Sequence, residues 1–187
     1  MNTPVKTICV FCGSALGSEL IFQQTAAHLG KLLAENGITL VYGGAHVGTM
    51  GVLADACLQA GGRVIGVMPQ RLVDREVAHR GLTELIIVET MHQRKAKMVE
   101  LSDAFIALPG GFGTYDELFE ILTWAQIGVH HKPIGLVNVA EFYTPLLTFL
   151  QSGVDKGFVQ RRILALLNVT ETAAQMVGLL RREPVAV

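Results

Sequence analysis

The 187-residue sequence predicts an α/β fold: a single domain in which a doubly wound parallel sheet carries helices on both faces. Three observations support this prediction. Short runs such as Ile8–Phe11 and Val64–Val67 are continuously apolar, as strands covered by helices on both faces should be. These runs alternate along the chain with longer segments that are predicted to be helical. Several of the predicted strands end in glycine-rich loops, which is where ligands approach a sheet of this kind.

The predicted elements follow one another in a regular βαβα order. Strands, each a short and mostly apolar run, are expected at Thr7–Phe11, Thr39–Tyr42, Val64–Met68, Glu84–Val88, Ala104–Leu108 and Ile134–Val137. Helices are expected at Ser18–Asn36, Thr49–Ala60, Met91–Ser102, Thr114–Gly128, Glu141–Ser152 and Glu171–Arg181. Gly37 and the pair Gly61–Gly62 end the first two helices, because glycine accepts the left-handed conformation of a helix C-terminus. No linker, repeat or low-complexity segment interrupts this order.

The composition argues against several classes of partner. Hydrophobic residues make up 50% of the sequence and charged residues 17%, which is enough for a substantial core. The net charge is −1 without a basic stripe for nucleic acid, and no apolar run approaches the roughly 18 to 20 residues of a membrane span. We therefore expect no nucleic-acid partner and no membrane partner. Met1–Lys6 carries no signal segment and the three cysteines cannot all pair, so we expect a cytoplasmic protein.

The cysteines and histidines do not have the spacing of a metal site. Cys9 and Cys12 have C-x-x-C spacing, but residues three apart on an extended strand point to opposite faces. The adjacent His130 and His131 precede Pro133 without any accompanying cysteine or carboxylate spacing. We therefore predict no metal site, and we interpret the C-x-x-C spacing as accidental.

The segment Pro109–Glu117 is the most informative part of the chain, because a glycine-rich turn leads from an apolar strand directly into a helix. Its three glycines would let backbone amides approach an anion, and the helix offers unpaired amides and the positive end of its dipole. This pattern indicates a phosphate site with the Glu117 carboxylate one helical turn away. Thr114 and Glu117 also have the spacing of a capping box, in which each side chain binds the other residue's backbone amide. The two interpretations can coexist.

Glycine-rich loops follow three of the predicted strands, at Cys12–Ser14, within Tyr42–Gly51 and at Pro109–Glu117. Ligands of open α/β sheets bind outside the carboxyl ends of the strands, so we expect one site built from several loops. The glycines of Tyr42–Gly51 do not match G-x-G-x-x-G, and the strand ending at Met68 lacks the acidic residue that binds a ribose. A mononucleotide therefore fits the sequence better than a dinucleotide.

Arg94 shares the apolar face of a predicted helix. At about 100° per residue it projects between Met98 and Leu101 and within a turn of Met91, although a solvated basic helix face is the alternative. A guanidinium on such a face needs a partner, which Glu117 and a bound phosphate would both supply. We therefore favour a role for Arg94 in the site.

Together, the motifs P-G-G-x-G-T-x-x-E and M-H-x-R-K and the early C-G-S and Y-G-G loops resemble those of the LONELY GUY (LOG) family, over nearly the whole chain. The resemblance implies a Rossmann-like fold, a homodimer and no cofactor. It also implies an activity: hydrolysis of cytokinin riboside 5'-monophosphates to a free N6-substituted adenine and ribose 5-phosphate. The lysine decarboxylase label once given to bacterial members would need a Schiff-base lysine for pyridoxal chemistry, and the sequence does not identify one.

Carried over residue by residue, the resemblance makes Arg94 and Glu117 the catalytic pair. The residues expected to contact the nucleotide are Ser14, Gly43, Gly44, Glu76, Lys95, Gly110, Gly111, Phe112, Gly113 and Thr114. Two positions depart from the common family pattern: Ala45, where many relatives have a third glycine, and Asp116, where glutamate is frequent. Neither departure removes a catalytic group, so they affect the expected base preference more than the chemistry.

Two alternative functions remain open at this point. A non-catalytic nucleotide- or cofactor-binding carrier, resembling the molybdenum-cofactor carriers, would also use glycine-rich loops but would not need Arg94 and Glu117 together. Within the enzyme hypothesis, plain AMP is the alternative to an N6-substituted nucleotide as the main substrate, which would make the protein an AMP nucleosidase.

The predicted helix Thr114–Gly128 carries apolar residues around its whole circumference. A chain of this size has few layers with which to cover such a helix on every side. This favours a second copy of the chain as the cover, in agreement with the homodimer that the resemblance implies.

Overall fold

The computed structural model describes residues 4–75 and 77–181, in which seven strands form one parallel sheet. The strands are β1 (Thr7–Phe11), β2 (Thr39–Tyr42), β3 (Val64–Pro69), β4 (Glu84–Val88), β5 (Ala104–Ala107), β6 (Ile134–Val137) and β7 (Leu167–Thr170). The helices are α1 (Leu20–Glu35), α2 (Gly48–Gln59), α3 (Gln70–Val73), α4 (Met91–Glu100), α5 (Phe112–Gln126), α6 (Thr144–Asp155), α7 (Arg161–Leu164) and α8 (Ala173–Leu180). A short 3₁₀ turn, Val139–Glu141, precedes α6.

The strand order is β4-β3-β2-β1-β5-β6-β7, with every neighbouring pair parallel. The chain starts at the central strand β1, moves outward to β4 and then crosses back to β5 on the other side of β1. The two central strands are in register from Ile8 beside Ala104 to Phe11 beside Ala107. The loops that leave β1 and β5 therefore flank the point where the strand order reverses, which is where such sheets bind ligands.

Each face of the sheet carries its own apolar core, because side chains alternate along the strands. Ile8 and Val10 of β1 belong to the core formed with α1, α2 and α8. Cys9 and Phe11 belong to the core formed with α4, α5 and α6. This arrangement confirms the predicted doubly wound sheet with helices on both faces.

The three cysteines are free and buried. Cys9 and Cys12 lie in the cores on opposite faces of the sheet, as their spacing along an extended strand predicted. Within residues 4–75 and 77–181, no group of histidine, cysteine and carboxylate side chains is arranged to hold a metal ion. No helix in the same ranges combines the length and apolarity needed to cross a membrane.

The six predicted strands are present, whereas the edge strand β7 was not predicted. Among the described residues this strand pairs only with β6, and Val169 is exposed between its half-buried neighbours. Its four residues therefore lack the continuous apolar pattern by which the buried strands were predicted. The short helices α3 and α7 were missed as well, because four residues are too few to establish a helical period.

Five of the six predicted helices begin one to three residues away from the predicted position, and two of these differences affect the local structure. The prediction that a helix starts at Glu141 is wrong, since Ala140 and Glu141 adopt left-handed backbone conformations with φ of 50° and 56°. They form a turn that ends before α6 begins at Thr144. The helix that was predicted from Thr114 instead begins at Phe112, which changes the position of Glu117 along it.

Candidate active site

The loops after β1, β2 and β5 meet at the carboxyl edge of the sheet, as their glycine content predicted. The Thr49 hydroxyl accepts a hydrogen bond from the Gly13 amide at 3.0 Å, which ties the first loop to the start of α2. The amide of Met50 in turn donates to the Gly13 carbonyl at 3.2 Å. Gly48 has a φ of +62° and packs directly against the backbone of Gly13 to Ala15, so a side chain there would collide with the first loop. Glycine at this position thus lets the two loops touch.

The start of α5 is open to a ligand. Gly111 is its N-cap residue, with extended backbone, and no side chain caps the helix. The capping-box interpretation of Thr114 and Glu117 is therefore wrong, because both residues lie inside the helix and neither caps it. The first amides of a helix have no intrahelical partner, and here they lie beside the glycine-rich turn at the positive end of the dipole.

Thr114 supplies an independent sign of a ligand in this turn. Its hydroxyl oxygen is buried and has no hydrogen-bond partner among the described residues. Gly110 packs so closely on Thr114 that a Cβ at Gly110 would overlap the threonine hydroxyl. Because buried polar atoms in native proteins are nearly always paired, this hydroxyl indicates a bound group with an acceptor or donor of its own.

Arg94 is buried on α4 and held by two contacts. Its Nε donates a hydrogen bond to the Val67 carbonyl oxygen at 3.0 Å, and its Nη1 lies 3.3 Å from Glu117 Oε1. Gly43 makes room for the guanidinium, since a Cβ at this residue would overlap Arg94 Nη2. The predicted partnership of Arg94 with Glu117 is therefore confirmed.

Glu117 carries an ionisable carboxyl group in a poorly solvated place. Burial raises its pKa from 4.5 to about 7, while the neighbouring Arg94 acts in the opposite direction. Only 8% of Glu117 and 9% of Arg94 is exposed, so their charges are weakly screened by solvent. A carboxyl group that titrates near neutral pH in a cleft is typical of a catalytic acid or base.

A cavity of about 320 Å³ contains both residues of the pair. Its polar part is formed by Ser14, Arg94, Thr114 and Glu117. Its apolar part is formed by Ala45, Val47, Met50, Met68, Leu72 and Val77. The cavity can therefore hold a molecule with a charged end and a flat apolar end, as a nucleotide has.

A second cavity of about 310 Å³ lies beside the first, and the two share Ser14 and Gly111. It is lined by the rest of the first loop and by the rings of Phe22 and Phe142. The glycine-rich turn before α5 thus has a cavity on each side.

Most of the predicted site residues meet in these two cavities. The first is lined by Ser14, Gly43, Arg94, Gly111, Phe112, Gly113, Thr114 and Glu117, and Gly110 lines the second. Gly44 lines neither; it has a φ of +79° in the loop that leaves β2. The Lys95 ammonium is directed to α5, where it binds Asp116 and Glu120. Glu76 lies outside the described residues.

The apolar part of the cavity was largely missed by sequence reasoning. Met68 is the second-last residue of β3, at the ligand-binding edge of the sheet, so its position could have indicated a role. Leu72 and Val77 follow it in a segment that has no regular pattern. Hydrogen bonds attach this segment to the second loop, since the His46 amide donates to the Val77 carbonyl and the His79 amide donates to the Gly44 carbonyl. No sequence signal predicts these contacts.

Comparison with known proteins places the chain in a family. Residues 50–180 match the family described as "Possible lysine decarboxylase". The chain is 46% identical to a cytokinin riboside 5'-monophosphate phosphoribohydrolase of Arabidopsis thaliana, over 94% of this chain and 82% of the relative. A protein of the same description from Oryza sativa subsp. japonica is 47% identical, over 92% of this chain and 71% of the relative. The chain belongs to the LOG family.

The LOG fold is shared with more distant proteins of known structure. The molybdenum cofactor carrier protein of Chlamydomonas reinhardtii has a TM-score of 0.72 at 23% identity, covering 94% of this chain and 96% of the carrier. The molybdenum cofactor binding protein of Rippkaea orientalis has a TM-score of 0.69 at 22% identity, covering 96% of each chain. At such identities the likeness concerns the Rossmann-like fold alone.

The decarboxylase description does not suit the cavity of this LOG protein. Pyridoxal chemistry requires a lysine that forms a Schiff base with the cofactor. None of the described residues that line the cavity is a lysine. Lys95 is the nearest in sequence to the buried Arg94–Glu117 pair, and its side chain is engaged by two carboxylates on α5. The residues present therefore do not fit pyridoxal phosphate.

A row of aromatic rings runs beside the glycine-rich turn before α5 of the LOG protein. Successive rings lie 4.9 to 6.4 Å apart between centroids, from Phe22 through Phe142, Tyr143 and Tyr115 to Phe112. The buried Tyr143 hydroxyl donates a hydrogen bond to the Leu108 carbonyl oxygen at 2.7 Å. This bond anchors the end of β5 just before the turn begins.

We expect Tyr143→Phe to lower the free energy of unfolding by about 1 to 3 kcal/mol, because it removes a partner of a buried carbonyl oxygen without changing the packing. Chemical denaturation of the two proteins measures this difference. Tyr115→Phe removes a hydroxyl from the adjacent ring and serves as the control. Equal stability of Tyr143→Phe and the parent protein would contradict the anchoring role.

Proposed function

We propose that this LOG protein hydrolyses the N-glycosidic bond of adenosine 5'-monophosphates, including N6-substituted ones, and releases the free base and ribose 5-phosphate. The observation that carries the proposal is the buried Arg94–Glu117 pair, with 3.3 Å between Nη1 and Oε1, in the same cavity as the open end of α5. The named activity of the LOG relatives supports it.

The glycine-rich turn before α5, which we call the phosphate turn (Pro109–Gly111), accounts for a preference for nucleotides over nucleosides. The unpaired amides at the start of α5 and the Thr114 hydroxyl bind the 5'-phosphate, which brings the ribose next to Glu117. The phosphate is remote from the bond that breaks, so its binding energy serves to orient the ribose. Nucleosides without this phosphate therefore react poorly.

The Glu117 carboxylate stabilises the positive charge that develops on the ribose during cleavage. As the C1'–N9 bond breaks, positive charge develops at the anomeric carbon and the electron pair leaves with the purine. The Glu117 carboxylate stabilises that positive charge and takes a proton from the water that adds to C1'. Glu117 then releases this proton through solvent to the purine anion, so that the hydroxyl of the water ends on C1', its proton ends on the base, and Glu117 is ionised again. Arg94 orients the carboxylate and offsets the negative charge of the phosphate.

The apolar end of the cavity holds the base. Met50, Met68, Leu72 and Val77 surround a space that is suited to a purine and to an apolar group on N6. Ala45 is buried among them, and its methyl group reduces the space that a glycine would leave. The ratio of kcat/KM between AMP and N6-isopentenyl-AMP measures how far this end selects for the substituent.

The experiment that tests the function follows free base and ribose 5-phosphate by chromatography after incubation with AMP and with N6-isopentenyl-AMP. We expect release of both products from at least one substrate, at a rate that requires Glu117. Tight nucleotide binding without release would instead support a non-catalytic carrier. A non-catalytic carrier would not require the buried Arg94–Glu117 pair.

We expect kcat/KM to decrease as the pH falls through about 7, since Glu117 must be ionised to act as a base and its pKa is raised to about 7. Rates from about pH 5 to about pH 9 would measure this dependence. An acid limb of the pH–rate profile close to 4.5, the ordinary pKa of the carboxyl group, would contradict the assignment of Glu117 as the base. The substrate phosphate also titrates, at about pH 6. Its effect on the rate is the same for every variant of the protein, which distinguishes it from the effect of Glu117.

We also propose that the protein is a homodimer in the cytoplasm. On α5, Leu118 and Ile121 face the core, whereas Phe119 and the residue that follows the helix, Ile127, are 38% and 65% exposed. Phe112, at the mouth of the cavity, is 90% exposed. A second copy would cover these apolar side chains. Light scattering at micromolar concentration tests the assembly, and a monomer would overturn it.

The three free cysteines support the proposed location in the cytoplasm, which is a reducing compartment.

A further inference from the structure

Lys95 follows Arg94 on α4 but binds a different pair of partners. Its Nζ lies 3.0 Å from Asp116 Oδ2 and 3.0 Å from Glu120 Oε1, on α5. Only 10% of the Lys95 side chain is exposed. Asp116 and Glu120 are four residues apart, so they lie on one side of α5 and bracket Glu117 along the helix. A single ammonium thus holds two carboxylates on either side of the proposed catalytic one.

Two adjacent cross-links therefore join α4 to α5: Arg94 to Glu117, and Lys95 to Asp116 and Glu120. We propose that Lys95 is a positioning residue, which holds α4 and α5 in the register at which Arg94 reaches Glu117, and that it does not contact the nucleotide. This inference rests on the proposed hydrolase function. It replaces the nucleotide contact that the family resemblance implies for Lys95.

The location of the ammonium supports this role. Lys95 is not among the described residues that line the catalytic cavity, whereas its neighbour Arg94 is. Desolvation lowers the pKa of Lys95, but hydrogen bonds to Glu120 and Asp116 outweigh it and raise the pKa above its usual value. The ammonium is therefore charged, and two of its three protons are directed to α5.

The electrostatics of α5 give the cross-link a second effect. Asp116, Glu117 and Glu120 are three carboxylates within five residues, and the first and last raise the pKa of Glu117 while Lys95 lowers it. Arg94 also lowers the pKa of Glu117, and the buried thiols of Cys9 and Cys12, whose pKa values are raised by burial, lie close enough for the Glu117 carboxylate to raise them further. Removing the ammonium leaves two uncompensated negative charges beside the carboxylate.

The test is Lys95→Met, which keeps the apolar stem and removes the charge. We expect kcat for AMP to fall by about 10- to 100-fold because Arg94 and Glu117 lose their alignment, while KM changes by less than about threefold. The acid limb of the rate profile should move to higher pH. A residue that binds phosphate would give the reverse, namely a large increase in KM and an unchanged limb. That result would overturn the proposal.

A second variant tests whether Lys95 acts through its two partners. In Lys95→Met/Asp116→Asn/Glu120→Gln the carboxylates that the lysine neutralised are gone as well, so the acid limb of the rate profile should return to that of the parent, whereas kcat should stay low because the cross-link from Lys95 to α5 is still missing. Lys95→Arg should keep both partners and nearly the parent rate. A triple variant with the parent kcat, or a Lys95→Arg variant as slow as Lys95→Met, would contradict the positioning role.

The matched control is Lys97→Met on the same helix. Lys97 pairs with Glu100 within α4 and does not reach α5, so its replacement should leave kcat, KM and the pH limb unchanged. Calorimetric titration with AMP adds a readout that does not need turnover. Absence of turnover in the parent would count against the hydrolase, whereas AMP affinity that falls more than about tenfold in Lys95→Met alone would count against the positioning role.

Discussion

Glu117→Gln is expected to lower kcat for AMP and for N6-isopentenyl-AMP by about 10² to 10⁴-fold, with nucleotide affinity nearly unchanged. The amide is almost the same size as the carboxyl group, and its oxygen can still accept a hydrogen bond from Arg94. It cannot take a proton from water, and it carries no charge to stabilise the anomeric carbon. Steady-state rates and calorimetric binding of AMP measure the two effects separately.

The stability of Glu117→Gln provides a check that does not depend on turnover. The pKa of Glu117 is raised in the folded protein, from 4.5 to about 7, so ionising this group costs stability as the pH rises through that window. Below the window the group is protonated in both the folded and unfolded states, and the cost disappears. The stability of the variant relative to the parent should therefore increase between about pH 4 and about pH 8.

Two outcomes would contradict this assignment. A variant that binds AMP normally and hydrolyses it at the parent rate would show that Glu117 is not the base. A stability difference that is independent of pH would show that Glu117 is not perturbed by its burial. Thermal unfolding at several pH values is sufficient for the second measurement.

Gly43→Ala is expected to lower kcat/KM by about 100-fold or more although Gly43 carries no side chain of its own. A Cβ at this residue would overlap Arg94 Nη2 and lie 3.1 Å from Arg94 Cζ. The guanidinium is the end of a long side chain and can move aside more easily than backbone. The protein should therefore fold, with Arg94 displaced from Val67 and Glu117.

Gly178→Ala in α8 is the control for Gly43→Ala, because a Cβ there would meet no atom within 4 Å. It should retain full activity and should not lower the melting temperature, since alanine favours helix over glycine. Gly43→Ala with parent activity would mean that the guanidinium position is not needed. Loss of folding in Gly43→Ala would mean that the loop, rather than Arg94, yields to the added methyl group.

Local patterns were sufficient to predict much of the molecule. Continuous apolar runs mark the buried strands, because a parallel sheet covered on both faces leaves no side of a strand to water. The glycines of Pro109–Gly113 mark the turn that we propose to bind phosphate, since only that residue type lets backbone approach an anion so closely. Arg94 was assigned from its place on an apolar helix face, where a charge needs a partner.

The sequence by itself thus determined the doubly wound sheet, the edge that carries the site and the side chains that form the buried pair. Tertiary structure alone decided what each polar group binds. It placed Thr114 and Glu117 inside α5 instead of at its cap, turned Lys95 to Asp116 and Glu120, and brought Leu72 and Val77 over the cavity. Periodicity specifies which face of an element is buried, but it carries no information about which distant residue lies opposite, because that depends on how the elements pack together.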